Sequence, residues 1–261
     1  MTTNDAMGLL RGVYKLAGLA LIQLGAGLMG LVAVILLLPF RKARYFMIAR
    51  IMNLWGRLCC AVLNIRIHRE GPAETAPRSA LIVSNHIGSA DIFIIAACFN
   101  TFFVSKSDVR SWPVIGPLTQ LGSTIFIDRT QRTQVSAMVR DLTGRLRSGF
   151  PVALFPEGGT TLGNRVEPFK SSAFESVVQA GGAVVPVMIR FEDGRNPSVA
   201  CWPEGMTFRE HMTNIMRHPR LDVRVCVLPA VEGEPDRRAF AEKSWKLISD
   251  KFEETRNAAV E

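Results

Sequence analysis

Neither a CxxC pair nor a Cys/His cluster occurs in this chain of 261 residues. Its five cysteines, Cys59, Cys60, Cys98, Cys201 and Cys226, are odd in number and irregular in spacing. That argues against a disulfide framework and against a zinc site. Reduced, mostly buried thiols on the cytoplasmic side are expected instead. No internal repeat and no low-complexity linker divides the chain. The sequence also lacks zinc-finger spacing and an aromatic RNA-binding signature, so its basic charge does not point to nucleic acid.

That charge is a formal +8, with a pI of about 9.7 and a mean hydropathy of +0.18. It suits an anionic partner: an acidic membrane surface or an acidic carrier protein. Residues 1–150 hold 17 Lys and Arg against 7 Asp and Glu, whereas residues 151–261 hold 14 against 16. The basic half is also the half with the most apolar segment, a pairing that favours a membrane. Residues 17–40 contain no charged side chain and one strongly polar one, Gln23. About 20 apolar residues cross a bilayer core as a helix, so the run is long enough to span. A cleaved signal peptide fits less well: the run is long, Pro39 is followed by Phe40 and a basic cluster, and no small-residue cleavage site stands out. Arg41, Lys42 and Arg44 read as a cytoplasmic flank. Residues 45–65 read as a second helix, lying at the interface or on the first helix. The alternative is a buried helix of the globular domain. Residues 1–64 are therefore expected to anchor the chain to the inner (cytoplasmic) membrane, with residues 65–261 facing the cytoplasm.

From residue 65 short apolar runs alternate with turn signals and amphipathic segments. Strands are expected at 65–69, 80–84, 102–105, 124–127, 152–155, 184–189 and 221–228, and helices at 91–98, 134–147, 172–179 and 238–256. The alternation predicts an α/β domain, a mixed, mostly parallel sheet flanked by helices on both faces. The segment 205–219 gives no clear periodicity. The charge-rich C-terminal helix reads as a solvated cover over the sheet.

Three strand ends carry residues capable of chemistry. In LIVSNHIGSADIFII, a buried strand runs into Asn85 and His86, with Asp91 five residues on. On one regular helix His86 and Asp91 would diverge by roughly 140°. They can meet if His86 lies in the loop and Asp91 in the first helical turn. An Asp accepting from one ring nitrogen leaves the other as a base, and strand ends are where α/β active sites tend to lie. A lone histidine there reads equally as structural. In LGSTIFIDRT, Arg129 closes a strand and can grip a phosphate, or simply pair with Asp128. In VALFPEGGTTLGNRVEPFKSSAF, Gly158 and Gly159 allow close backbone approach, and Glu157 can bond a hydroxyl. Alone, that block is a tight turn. GGAVVPVMIRFE reads as a buried strand interrupted by Pro186.

As an ordered set, these blocks resemble the 1-acylglycerol-3-phosphate acyltransferase family of lysophospholipid acyltransferases. The matching residues are Asn85, His86 and Asp91, then 122–129, then 155–161, then Val185 to Val187. The resemblance covers about residues 65–190 and implies a glycerolipid acyltransferase fold with an N-terminal membrane-associated helical hairpin. It implies that His86 is the general base and that Asp91 orients it. Asn85, Lys106, Arg129, Glu157, Gly158 and Thr160 would form the substrate site. The acyl donor would be acyl-CoA or an acyl carrier protein thioester, with no metal, no other cofactor and no covalent acyl-enzyme. The partners would be a membrane lipid acceptor and the membrane surface. One departure stands out: members acting on lysophosphatidic acid often carry an Arg two residues after FPEG, where this chain has Thr160. The segment FVSKSDVRSWPVIG with EPFKSSAF is also similar to the branch that acylates lyso-ornithine lipid, an acceptor without phosphate. A catalytically silent membrane-binding protein is the alternative from another functional class.

Overall fold

The computed structural model describes residues 3–72, 79–128 and 132–257. The chain order is α1 (Thr3–Leu36), α2 (Arg41–Leu63), β1 (Ile65–Glu70), β2 (Ala80–Ser84), α3 (Ala90–Cys98), β3 (Phe102–Lys106), α4 (Ile115–Leu121), β4 (Ile125–Ile127), α5 (Arg132–Arg147), β5 (Val152–Leu154), α6 (Glu175–Ala180), β6 (Ala183–Phe191), α7 (Phe208–Arg217), β7 (Leu221–Val227) and α8 (Arg237–Asn257). Short 3₁₀ turns over Ser107–Ser111 and Ser171–Phe174 precede α4 and α6.

Among the described residues one sheet runs in the order β1-β7-β6-β2-β5-β3-β4. All neighbours are parallel except β6 and β7. This is the mixed, mostly parallel α/β sheet expected from the sequence. Period-two alternation divides each central strand between two cores. Ala80 and Ile82 of β2 face a cluster built with α2, α3 and α7. Leu81 and Val83 face a second cluster with α5, α6 and α8. A sheet covered on both faces needs such near-continuous apolar strands. The parallel register brings the C-terminal ends of β2, β5, β3 and β4 to one edge: Val83 pairs Leu154, Phe103 pairs Ala153, and Lys106 pairs Ile127.

α1 is longer than its apolar run and displaced towards the N-terminus. It takes in Arg11 and Lys15 and stops at Leu36, since Pro39 cannot continue a helix and restricts the residue before it. By length and composition α1 and α2 can each cross a bilayer. Both also pack on the globular domain. Lys15 is fully buried, its ammonium donating to the carbonyls of Leu63 at 2.8 Å and His218 at 2.7 Å. These are unpaired carbonyls at the ends of α2 and α7, where a cation is favourable. Gly56 lets α2 approach α3 closely: a Cβ there would meet the Ala97 nitrogen at 2.5 Å. The outward face of α1, including Leu10, Leu21, Leu24, Leu28 and Ile35, stays exposed and apolar. Patches of that size mark membrane or partner contact.

Two helices emerge that the periodicity did not show. α4 begins at Ile115 with Gly116 and Pro117 in its first turn, and its seven residues are too few for a period to register. α7 fills the unreadable segment 205–219. Its signal was local: Thr207 and Glu210 form a reciprocal capping box, with Met212 and Ile215 buried one turn on.

Candidate active site

β2 ends at Ser84, and the turn before α3 carries His86. His86 Nδ1 lies 2.8 Å from Asp91 Oδ2. The loop-plus-first-turn arrangement expected from the five-residue spacing is therefore the one observed. The same carboxylate oxygen accepts from the backbone N–H of Ile87 at 2.6 Å and of Gly88 at 3.0 Å. Backbone N–H groups can only donate, so this oxygen is an acceptor and Nδ1 carries the ring hydrogen. Nε2 is left with its lone pair. The imidazole stacks on Phe155, centroids 4.0 Å apart and nearly parallel, and its side chain remains 17% exposed beside a fully buried Asp91. A histidine so fixed in tautomer and orientation can accept a proton at Nε2.

The loop after β5 grips the backbone of His86 from both sides. Glu157 Oε1 accepts from the His86 N–H at 3.0 Å. The His86 carbonyl accepts from the Thr161 N–H at 2.9 Å. Gly158 makes this turn possible at φ +93°, in the left-handed region where a Cβ is costly. Gly88 is also obligatory, since a Cβ there would lie 2.1 Å from the Ala200 carbonyl oxygen.

His86 opens onto a cavity of about 1100 Å³ that lies between the α1–α2 hairpin and the sheet edge. Gln23 and Gly27 of α1, Met52 and Trp55 of α2, and Phe103 of β3 are among its walls. Gln23, the one strongly polar residue of the apolar run, accepts from the Trp55 indole N–H at 2.6 Å.

The structure distributes the other residues singled out in the sequence as follows. Lys106, Gly158 and Thr160 line the cavity. Lys106 lies 3.6 Å from Asp108 and is exposed. The Thr160 hydroxyl donates to the Trp202 carbonyl at 2.6 Å. Asn85 and Glu157, also expected in the substrate site, bond backbone groups: Glu157 Oε1 holds the His86 N–H while its Oε2 has no hydrogen-bond partner. Asn85 donates to the Ile189 carbonyl and accepts from the Ile189 N–H, both at 2.8 Å, extending the β2–β6 ladder by one pair. Arg129 lies outside the described residues. The segment around Trp202 and α7, which carries no clear periodic signal in the sequence, forms the far wall with Phe208, Met212 and Met216. Among the described residues no group of three His, Cys, Asp or Glu comes together as a metal site.

Burial, reinforced by the nearby Asp91 charge, raises the Glu157 carboxyl to about 8, against a smaller lowering by the His86 N–H bond. The folded protein thus keeps this proton over a range where the unfolded chain has lost it. Its contribution to stability is complete below the ordinary carboxylate value and is lost as the pH rises through about 8. Glu157→Gln, which mimics the protonated acid, is expected to flatten the fall in thermal midpoint between about pH 5 and about pH 9. Melting curves of both proteins across that range check it; parallel curves would mean that Glu157 does not set this pH dependence.

A family model for acyltransferases matches residues 64–190. The 1-acyl-sn-glycerol-3-phosphate acyltransferase of Neisseria meningitidis is 32% identical over 210 residues, 78% of each chain. The lyso-ornithine lipid O-acyltransferase of Rhizobium meliloti is 30% identical over 251 residues, 91% of this chain and 83% of that one. The crystal structure of the 1-acyl-sn-glycerophosphate acyltransferase of Thermotoga maritima superimposes with a TM-score of 0.75 at 19% identity, over 97% of this chain and 98% of that one. At that identity it establishes a shared fold.

Proposed function

This chain belongs to the acyltransferase family, and we propose that it moves a fatty acyl group from a thioester donor to the free hydroxyl of a membrane lysolipid. The carrying observation is the His86–Asp91 pair, with its free Nε2 set at one side of a large apolar cavity. Nε2 takes the proton of the acceptor hydroxyl as its oxygen attacks the thioester carbonyl. Asp91 balances the imidazolium that forms. The tetrahedral intermediate collapses, the carbon–sulfur bond breaks, and the departing thiolate takes the proton from Nε2 as a free thiol. The proton ledger closes on His86 alone, so direct transfer calls for neither a metal nor an acyl-enzyme. The donor is acyl-CoA or an acyl carrier protein thioester, and the cavity between hairpin and sheet has the apolar walls an alkyl chain needs.

The exposed apolar face of α1 lies in the inner membrane, with the globular domain on the cytoplasmic side and Arg41, Lys42 and Arg44 as the flank. The site then meets acceptor and product at the bilayer surface. We take 1-acylglycerol-3-phosphate as the leading acceptor, giving phosphatidic acid, with Lys106 and Arg129 as the cations for its phosphate. A second reading, lyso-ornithine lipid, is favoured by Thr160: it occupies the place of a frequent arginine, and its hydroxyl is engaged with Trp202. Purified full-length enzyme supplied with acyl-CoA or acylated carrier protein should acylate lysophosphatidic acid. No product from any lysophospholipid would sink the leading reading. Loss of ornithine lipid in a deletion strain, with phosphatidic acid synthesis unchanged, would decide for the second.

A further inference from the structure

The turn that presents His86 is held from below by Asp91 and from the side by the loop after β5. On its remaining side stands a second histidine. His211 of α7 is fully buried. Its Nε2 lies 3.2 Å from the Ser89 nitrogen and 2.8 Å from Ser89 Oγ. Since the Ser89 N–H is a donor, Nε2 is the acceptor, and the hydrogen on Nδ1 points to the Cys201 carbonyl at 3.3 Å. Burial lowers the pKa of this ring and so preserves the acceptor lone pair. The ring stacks on Trp202, whose backbone N–H in turn donates to the Ile87 carbonyl at 2.9 Å. α7 itself is fixed at its far end, where Arg11 bonds the Arg217 carbonyl and Lys15 the His218 carbonyl.

We infer that His211 is a positioning residue for acyl transfer: by accepting from Ser89 it sets the turn 87–89 whose N–H groups aim the Asp91 carboxylate at His86. The inference rests on the reading of His86 as the base. Ser89 immediately follows Gly88, one of the two N–H donors to Asp91 Oδ2, so release of Ser89 lets that donor drift. A displacement of around 1 Å at a reacting group is enough to cost up to about 10²-fold in rate. The His211 ring bonds Ser89 and Cys201 and stacks on Trp202, and it is not among the residues lining the cavity, so it acts at a remove from the substrates.

Three substitutions separate positioning from bulk support, each made in full-length enzyme assayed in lipid vesicles or detergent. His211→Gln keeps an acceptor near Nε2. His211→Asn keeps a donor near Nδ1 but falls short of Ser89. His211→Leu keeps neither. Leu and Asn are expected to lower kcat at least about 10-fold, Gln to stay within about threefold of the parent, and KM for donor and acceptor to change less than about twofold in all three. An unchanged kcat in Asn and Leu, an equal loss in all three, or a rise in KM at constant kcat would each overturn the inference. Should the Leu variant fail to fold, the comparison of Asn with Gln decides. The His86→Ala variant keeps the two claims apart. If it turns over normally, the reading of His86 as base fails; if it is inactive while His211→Asn keeps the parent kcat, only the role of His211 fails.

Discussion

His86→Ala is expected to lower turnover by at least about 10²-fold, the smaller end of what loss of a general base costs, in a protein that stays folded and membrane-bound. The lysines that line the cavity, Lys106 and Lys170, cannot accept a proton while charged, so neither replaces Nε2. The fold should survive because the ring contributes one hydrogen bond and one stacking contact. Its backbone, by contrast, carries the bonds to Glu157 and Thr161. Alanine keeps that backbone, and Asp91 keeps both its N–H donors. Initial rates on purified enzyme, with circular dichroism and vesicle flotation as controls, test this. Turnover within about tenfold of the parent would mean that the proton leaves by another route.

The second large effect belongs to Asp91→Asn. An amide could invert the tautomer of its partner histidine, but here the backbone prevents it. The N–H groups of Ile87 and Gly88 both point at the Oδ2 position, so the amide oxygen must sit there and the NH₂ group cannot. Nδ1 then still donates, and Nε2 keeps its lone pair. What is lost is the negative charge facing the imidazolium that forms during transfer. The NH₂ group also enters a buried position where Oδ1 now has no hydrogen-bond partner. We expect kcat to fall about 10²-fold or more with geometry preserved. Asp91→Ala should be at least as inactive and less stable, because two buried N–H donors lose their acceptor at about 1–3 kcal/mol each. Steady-state kinetics and thermal melts of both variants test this. A fully active Asn variant would reduce Asp91 to a structural hub.

The seven strands and the four helices expected in the globular domain appear within a few residues of their sequence positions, because each depends on a short apolar period bounded by turn residues. The His86–Asp91 contact was legible for a related reason. Both residues lie on one local turn, and five residues of chain leave little freedom in how they meet. The directions of Asn85 and Glu157 were not legible, because a polar side chain beside such a motif carries no mark of where it points. Asn85 in fact completes a ladder with Ile189, 104 residues away. α7 shows the opposite case: its capping box was written in Thr207 and Glu210, but its use was not, since Ser89 and His211 are 122 residues apart.

The sequence by itself determined the alternation of strands and helices, the apolar N-terminus and the coupling of His86 to Asp91. These are local patterns, set by periodicity and short chain connections. Only the tertiary structure decided what surrounds them. It placed the ends of β2, β5, β3 and β4 on one edge, buried Lys15 between two helix ends, and closed the cavity with α1, α2 and α7. It also turned Thr160 onto the Trp202 carbonyl. Each of these depends on parallel register and on hydrogen bonds between distant segments. Such contacts form only once the sheet has brought their partners together, and no spacing along the chain encodes them.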